Sequence, residues 1–163
     1  MTPLNQIRQK LFLKEKLVLQ IVDWKTNGEK IVFTNGCFDI IHPGHIDYLA
    51  KAASIGDRLV IGVNTDKSVQ KLKGTRRPIQ DQDSRTFILA ALEFTSAIVL
   101  FDEDTPAELI TALKPDILVK GADYTIDQIA GAETVMKSGG SVVLLPYLKG
   151  YSTSGIERKI KES

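Results

Sequence analysis

The sequence is poor in the residues on which many functions depend. It has one cysteine, two histidines and one tryptophan in 163 residues, and its 21 lysines and arginines nearly cancel its 20 aspartates and glutamates. A lone Cys37 excludes an internal disulfide and a four-cysteine zinc site, and accords with a reducing compartment. A net charge of +1 gives no global attraction to nucleic acid or to an acidic membrane, so anion binding must come from local clusters of Lys and Arg. Residues 1–30 carry many charges and no apolar run of signal-peptide or membrane-spanning length, so a soluble, cytoplasmic protein is expected. There is no internal repeat and no low-complexity tract. With 43% hydrophobic and 25% charged residues, the chain has the composition of one globular domain that buries roughly 70% of its unfolded surface. A single catalytic domain is therefore expected.

What the sequence does hold is a regular alternation. Five β-branched runs, Lys30–Asn35, Arg58–Asn64, Ser96–Phe101, Asp116–Lys120 and Ser141–Leu145, are continuously apolar rather than alternating, as in strands covered on both faces. Helical spacing fills Gly44–Ile55, Ser84–Phe94, Thr105–Leu113, Ile126–Lys137 and Thr153–Lys161. Strand alternating with helix predicts a Rossmann-like, doubly wound parallel α/β sheet of five strands with helices on both faces. Residues 1–29 read as an N-terminal helical extension closed by the Asn27-Gly28 turn, with residues 30–163 as the main domain. Ligands of such a sheet bind beyond the carboxyl ends of the strands. The segments there, Gly36–His45, Thr65–Arg77, Asp102–Asp104, Gly121–Tyr124 and Pro146–Ser154, hold almost all the unusual chemistry.

Both histidines, His42 and His45, flank Pro43-Gly44 at the mouth of the first helix after a strand. Free N–H groups and the positive end of the helix dipole favour phosphate there. Imidazole donors suit triphosphate oxygens, Gly44 permits close approach, and Pro43 suits a first turn. Two plainer readings stand beside this one. The pair can cap the helix, or bind a metal, although zinc requires a third ligand and the nearest candidate, Asp39, is not diagnostic. Between Asp66 and Arg77 the chain carries five cations against one acid, either a solvated basic loop or an anion-binding one. Lys73 stands out because Gly74 frees the backbone beside it, which suits a mobile lysine that closes on a bound triphosphate. Arg85 falls in the first turn of a helix, where a cation is disfavoured unless an anion or a neighbour such as Asp81 or Asp83 pairs with it. Asp123 in Lys120–Tyr124 suits a turn cap, and Ser152-Thr153-Ser154 suits either an N-cap or a second phosphate site.

These runs carry a family resemblance. FTNGCFDIIHPGH (33–45) resembles the HxGH signature of the nucleotidyltransferase superfamily, which includes cytidylyltransferases, phosphopantetheine adenylyltransferase and class I aminoacyl-tRNA synthetases. Together with GVNTD (62–66), LKGTRRPI (72–79), VKGADY (119–124) and YSTSGI (151–156), it is more narrowly similar to the adenylyltransferases of ADP-heptose synthesis. The similarity spans about Lys30 to Lys161. Many members carry a preceding sugar-kinase domain, and the resemblance leads to the expectation that this sequence is the stand-alone form. The resemblance implies transfer of AMP from ATP to D-glycero-β-D-manno-heptose 1-phosphate with release of pyrophosphate. It implies that His42, His45 and Lys73 are catalytic, that Thr34, Asn35, Gly36, Phe38, Gly44, Arg85, Lys120 and Gly121 contact the nucleotide, and that Ser152, Thr153 and Ser154 hold the β- and γ-phosphates. Ser154 replaces the usual Thr and keeps the hydroxyl. Asp39 and Asp123 are the acceptor-side candidates. Mg²⁺ is expected with the ATP rather than in a protein cage. The partners are then small molecules, with no nucleic acid and no membrane, and the resembled enzymes are commonly homodimers. A glycerol 3-phosphate cytidylyltransferase, an FAD-synthesising adenylyltransferase and a non-catalytic nucleotide sensor remain open beside this reading.

Overall fold

The computed structural model describes residues 1–163. Helix α1 (Pro3–Gln9), strand β1 (Leu11–Phe12) and helix α2 (Lys14–Thr26) precede β2 (Ile31–Gly36). There follow α3 (Pro43–Ala53), β3 (Arg58–Asn64), α4 (Asp66–Lys73), α5 (Gln82–Ala90), β4 (Ala97–Phe101), α6 (Ala107–Leu113) and β5 (Ile117–Gly121). A 3₁₀ turn (Ile126–Gln128), α7 (Ala132–Lys137), β6 (Ser141–Leu145) and α8 (Thr153–Glu162) complete the chain. The strands form one sheet in the order β1-β4-β3-β2-β5-β6, every pair parallel.

Period-two geometry divides the apolar strands between two cores. Ile31 and Phe33 of β2 join Leu17, Ile21 and Trp24 of α2 and Leu109, Ile110 and Leu113 of α6 on one face. Val32 joins Tyr48, Leu49 and Ala52 of α3 and Leu89 and Ala90 of α5 on the other. From β2 the chain winds outward to β3 and β4, then returns to the opposite side of β2 for β5 and β6. The winding therefore reverses between β2 and β5, and a crevice opens at their carboxyl ends.

Six strands form instead of the five expected. The additional one, β1, lies inside the N-terminal segment expected to be helical, and its two residues are too few to leave a periodic signal. The basic run after β3 is a loop only from Gly74 on. Its first eight residues fold as α4, capped by Thr65, whose Oγ1 accepts the Ser68 N–H at 3.2 Å, and the helix ends at Gly74 with φ +95°. The helix expected over 126–137 is interrupted at Gly131, whose φ is +85° and whose missing Cβ would lie 2.7 Å from Ile110 Cδ1. No helix is long and apolar enough to cross a membrane.

Candidate active site

The crevice is a cleft of about 710 Å³. Its floor is the end of β2. There Phe38 adopts a left-handed backbone, φ 49°, which brings its ring edge-on to His45 at 5.5 Å. The extended His42 is the N-cap of α3, and its Nδ1 accepts the Gly44 N–H at 3.1 Å. That bond fixes the neutral tautomer, with the proton on Nε2. Capping and a donor role therefore coexist in one ring.

His45 stacks on His42, with ring centroids 3.8 Å apart and planes at 27°. Burial, then His42, then Lys73 push the His45 pKa down to about 4, and burial also lowers that of His42. Both rings are consequently poised as uncharged donors. His45 Nδ1 is buried without a hydrogen-bond partner.

Of the five cations in the basic run, three are paired. Lys67 bridges to Asp102 at 3.1 Å, Lys71 to Asp104, and Arg77 to both Asp39 and Glu157. Lys73 and Arg76 form no ion pair, and of these two only Lys73 lines the cleft. It is the last residue of α4, with Gly74 behind it.

The opposite flank is built by β5, the loop after β6 and the start of α8. The Lys120 ammonium donates to Asn35 Oδ1 and sits 5.9 Å from the Tyr124 ring centroid. Desolvation lowers its pKa to about 8. Gly121 leaves space that Tyr147 uses, since a Cβ there would lie 2.0 Å from the Tyr147 hydroxyl. Tyr147 in turn stacks on Tyr48 at 5.9 Å. Ser152 caps α8 by accepting the Gly155 N–H at 3.0 Å, and Ser152 and Thr153 both face the cleft.

Of the expected site residues, Asn35, Gly36, Phe38, Asp39, His42, Gly44, His45, Lys73, Lys120, Gly121, Ser152 and Thr153 line this one space. Four others sit elsewhere. Thr34 is sealed below the floor, donating to the Val119 carbonyl at 3.1 Å and accepting from Tyr48 Oη at 2.9 Å. Arg85 is fully buried and donates to the carbonyls of Gln80, Cys37 and Asn64 at 3.0, 2.6 and 2.8 Å and to Asp66 at 2.8 Å. Within the chain, carbonyls and Asp66 satisfy this cation, rather than Asp81 or Asp83. Ser154 and Asp123 lie outside the cleft lining and are exposed, Ser154 Oγ standing 3.4 Å from Ser152 Oγ.

Asp39 lines the cleft, but its carboxylate is committed. It accepts the N–H groups of Ile79 (2.8 and 2.9 Å) and Gln80 (2.9 Å), and Arg77 Nε lies 2.8 Å away in an ion pair whose N–H is poorly aligned for a hydrogen bond. The sequence did not single out Tyr48, Leu72, Phe101, Pro106, Tyr147 or Leu148, which also line the walls. Tyr147 lies in the Pro146–Ser154 segment after a strand, the one signal that pointed toward it.

A switch-point cleft with the histidine pair at the N-terminus of α3, the N-terminus of α8 on the opposite flank and a lysine without an ion pair has the features that suit a polyphosphate in an α/β domain. Residues 33–159 match the cytidylyltransferase-like family, and the chain belongs to that family. The bifunctional protein HldE of Methylobacillus flagellatus is 51% identical over 146 residues, which are 90% of this chain and 30% of that protein. The HldE of Nitrosococcus oceani is 53% identical over 150 residues, 92% of this chain and 32% of that one. The chain thus spans about a third of the length of these relatives. Among solved structures, a lipopolysaccharide core biosynthesis protein of Thermoplasma volcanium superposes with a TM-score of 0.60 at 32% identity, over 77% of this chain and all of that one. A pantoate-beta-alanine ligase of Francisella tularensis, 17% identical with a TM-score of 0.55 over 90% of this chain and 76% of its own, shares the fold.

Proposed function

We propose that this domain transfers the AMP of ATP to the phosphate of D-glycero-β-D-manno-heptose 1-phosphate, releasing pyrophosphate and forming ADP-heptose for surface-glycan synthesis. The observation that carries the reading is the stacked, neutral His42–His45 pair at the mouth of α3, with the unpaired Lys73 in the same cleft. Identity of about 50% with the HldE proteins supports the narrower substrate assignment.

In this reading an oxygen of the acceptor phosphate attacks the α-phosphorus in line, and the bond from that phosphorus to the bridging oxygen breaks. Pyrophosphate leaves with the electron pair. The nucleophile is already an anion, so no catalytic base is required, and catalysis rests on alignment and charge stabilisation. His42 Nε2–H, His45 and Lys73 face the transferring group, and Ser152 and Thr153 at the start of α8 hold the departing phosphates. Cys37 plays no part, because burial raises its thiol pKa. Of the cleft carboxylates, Asp39 is committed to backbone and Asp104 is paired with Lys71, and no trio of His, Cys, Asp or Glu is grouped to hold a metal. Mg²⁺ therefore fits as the counter-ion carried by ATP, where it supplies charge neutralisation. A cytoplasmic homodimer, as in the resembled enzymes, belongs to the same reading.

Pyrophosphate release by the purified protein tests it. ATP with heptose 1-phosphate is expected to react, and CTP to serve poorly as donor. A faster reaction of CTP with glycerol 3-phosphate would replace the heptose assignment with cytidylyl transfer, and release from no pair would leave a nucleotide sensor.

A further inference from the structure

α8 presents the Ser152-Thr153 end to the cleft, yet it is barely attached to the fold. None of its residues is buried, Arg158 to Ser163 are exposed throughout, and Ile160 is 67% exposed. A helix whose one half-buried large apolar side chain is Ile156 has little hydrophobic reason to hold one position. What grips its first turns is Arg77, whose guanidinium pairs with Glu157.

That guanidinium is itself held. Its side chain is 14% exposed and its Nε lies 2.8 Å from Oδ2 of Asp39, a carboxylate that is 1% exposed. Asp39 precedes the histidine pair by a few residues and also fixes the Ile79 and Gln80 N–H groups. Arg77 follows Lys73 at the end of the Gly74 turn, where its own N–H donates to the Gly74 carbonyl at 3.1 Å. One side chain therefore ties together the three segments that carry the histidines, Lys73 and the α8 hydroxyls.

We propose that the Asp39–Arg77–Glu157 chain is a latch in which Arg77 and Glu157 act as positioning residues, setting the start of α8 where the β- and γ-phosphates of the nucleotide lie. The assignment rests on the nucleotide-binding reading of the cleft, but not on which acceptor is used. Neither residue touches the reacting atoms. Their effect reaches only those parts of the nucleotide that α8 meets, so loss of the latch weakens ligands that carry the terminal phosphates and spares AMP.

Glu157→Gln is the selective test, because it removes the α8 end of the latch and leaves the buried Asp39–Arg77 pair in place. Calorimetric titration of the wild type and the variant with ATP, pyrophosphate and AMP should show ATP and pyrophosphate weakened about 5–20-fold and AMP unchanged, the size of a typical coupling between sites. In steady state the KM for ATP should rise while the KM for the acceptor holds. Arg77→Lys should retain more ATP affinity than Arg77→Met, with circular dichroism confirming that both variants fold. ATP and pyrophosphate affinities equal to wild type in Glu157→Gln, or a matching loss for AMP, would overturn the latch. A wild type that binds ATP but turns over no acceptor would overturn the proposed reaction and leave these titrations decisive, and a wild type that binds neither ATP nor pyrophosphate would overturn both.

Discussion

Lys71 and Lys73 stand at neighbouring positions on α4, and they differ in company. Lys71 is bound to Asp104, whereas Lys73 has no carboxylate and turns to the cleft. A charge that meets the α-phosphate as it reorganises contributes more to the transition state than to the ground state. Lys73→Met should therefore lower kcat by about two to three orders of magnitude and raise the KM for ATP far less, while Lys71→Met stays within a few-fold of wild type. Equal, mild effects at the two positions would reduce Lys73 to a steering charge. His45 gives a second test at this scale. Its pKa of about 4 lies below the ordinary histidine value, so between about pH 6.5 and 4 the unfolded chain takes up a proton that the folded one refuses, and stability declines as pH falls through that window. A triphosphate against the ring acts in the opposite direction and favours the charged form. ATP binding at pH 6 should then be accompanied by proton uptake, read from the dependence of the binding heat on the buffer's ionisation enthalpy. His45→Gln should abolish most of that uptake, and its persistence would move the proton to another group.

At the level of elements, the β5 terminus and the loop after β6 share one contact. The Gly121→Ala change places a methyl where the Tyr147 hydroxyl lies, so it should displace the tyrosine from its stack on Tyr48 and destabilise the protein by about 1–3 kcal/mol. Thermal melting and tyrosine fluorescence would register both effects. Such contacts also explain which parts of the site could be read from the sequence. The β-branched runs announced β2 to β6, and the strand–HxGH–helix order announced where the histidines lie, because each is a pattern of side-chain types along the chain. The intramolecular partners of Arg85 and Asp39 could not be read, because they are mainly backbone carbonyls and N–H groups, which no letter of the sequence records. The helix α4 was obscured by its three lysines and the two arginines beyond it, which together suggested a loop, although Thr65 was in place to cap it.

For the molecule as a whole, residues 1–29 do more than decorate the sheet. Leu17 has no exposed surface, and Ile21 and Trp24 complete the core beneath β2 and β4. Leu17→Ala should cost about 2–5 kcal/mol, a drop of roughly 2–4 °C in Tm for each kcal/mol, without altering the cleft residues. Differential scanning calorimetry beside the kinetic constants would check both halves of this expectation.

The two residues of β1 have a further consequence. Leu11 and Phe12 run beside Ile98 and Val99, and the Ile98 N–H donates to the Lys10 carbonyl at 2.7 Å. Without them β4, apolar over Ala97–Phe101, becomes a bare outer edge with unpaired backbone groups, a ready template for a strand from another molecule. A chain clipped before α2 is therefore expected to associate through this flank, which light scattering would register.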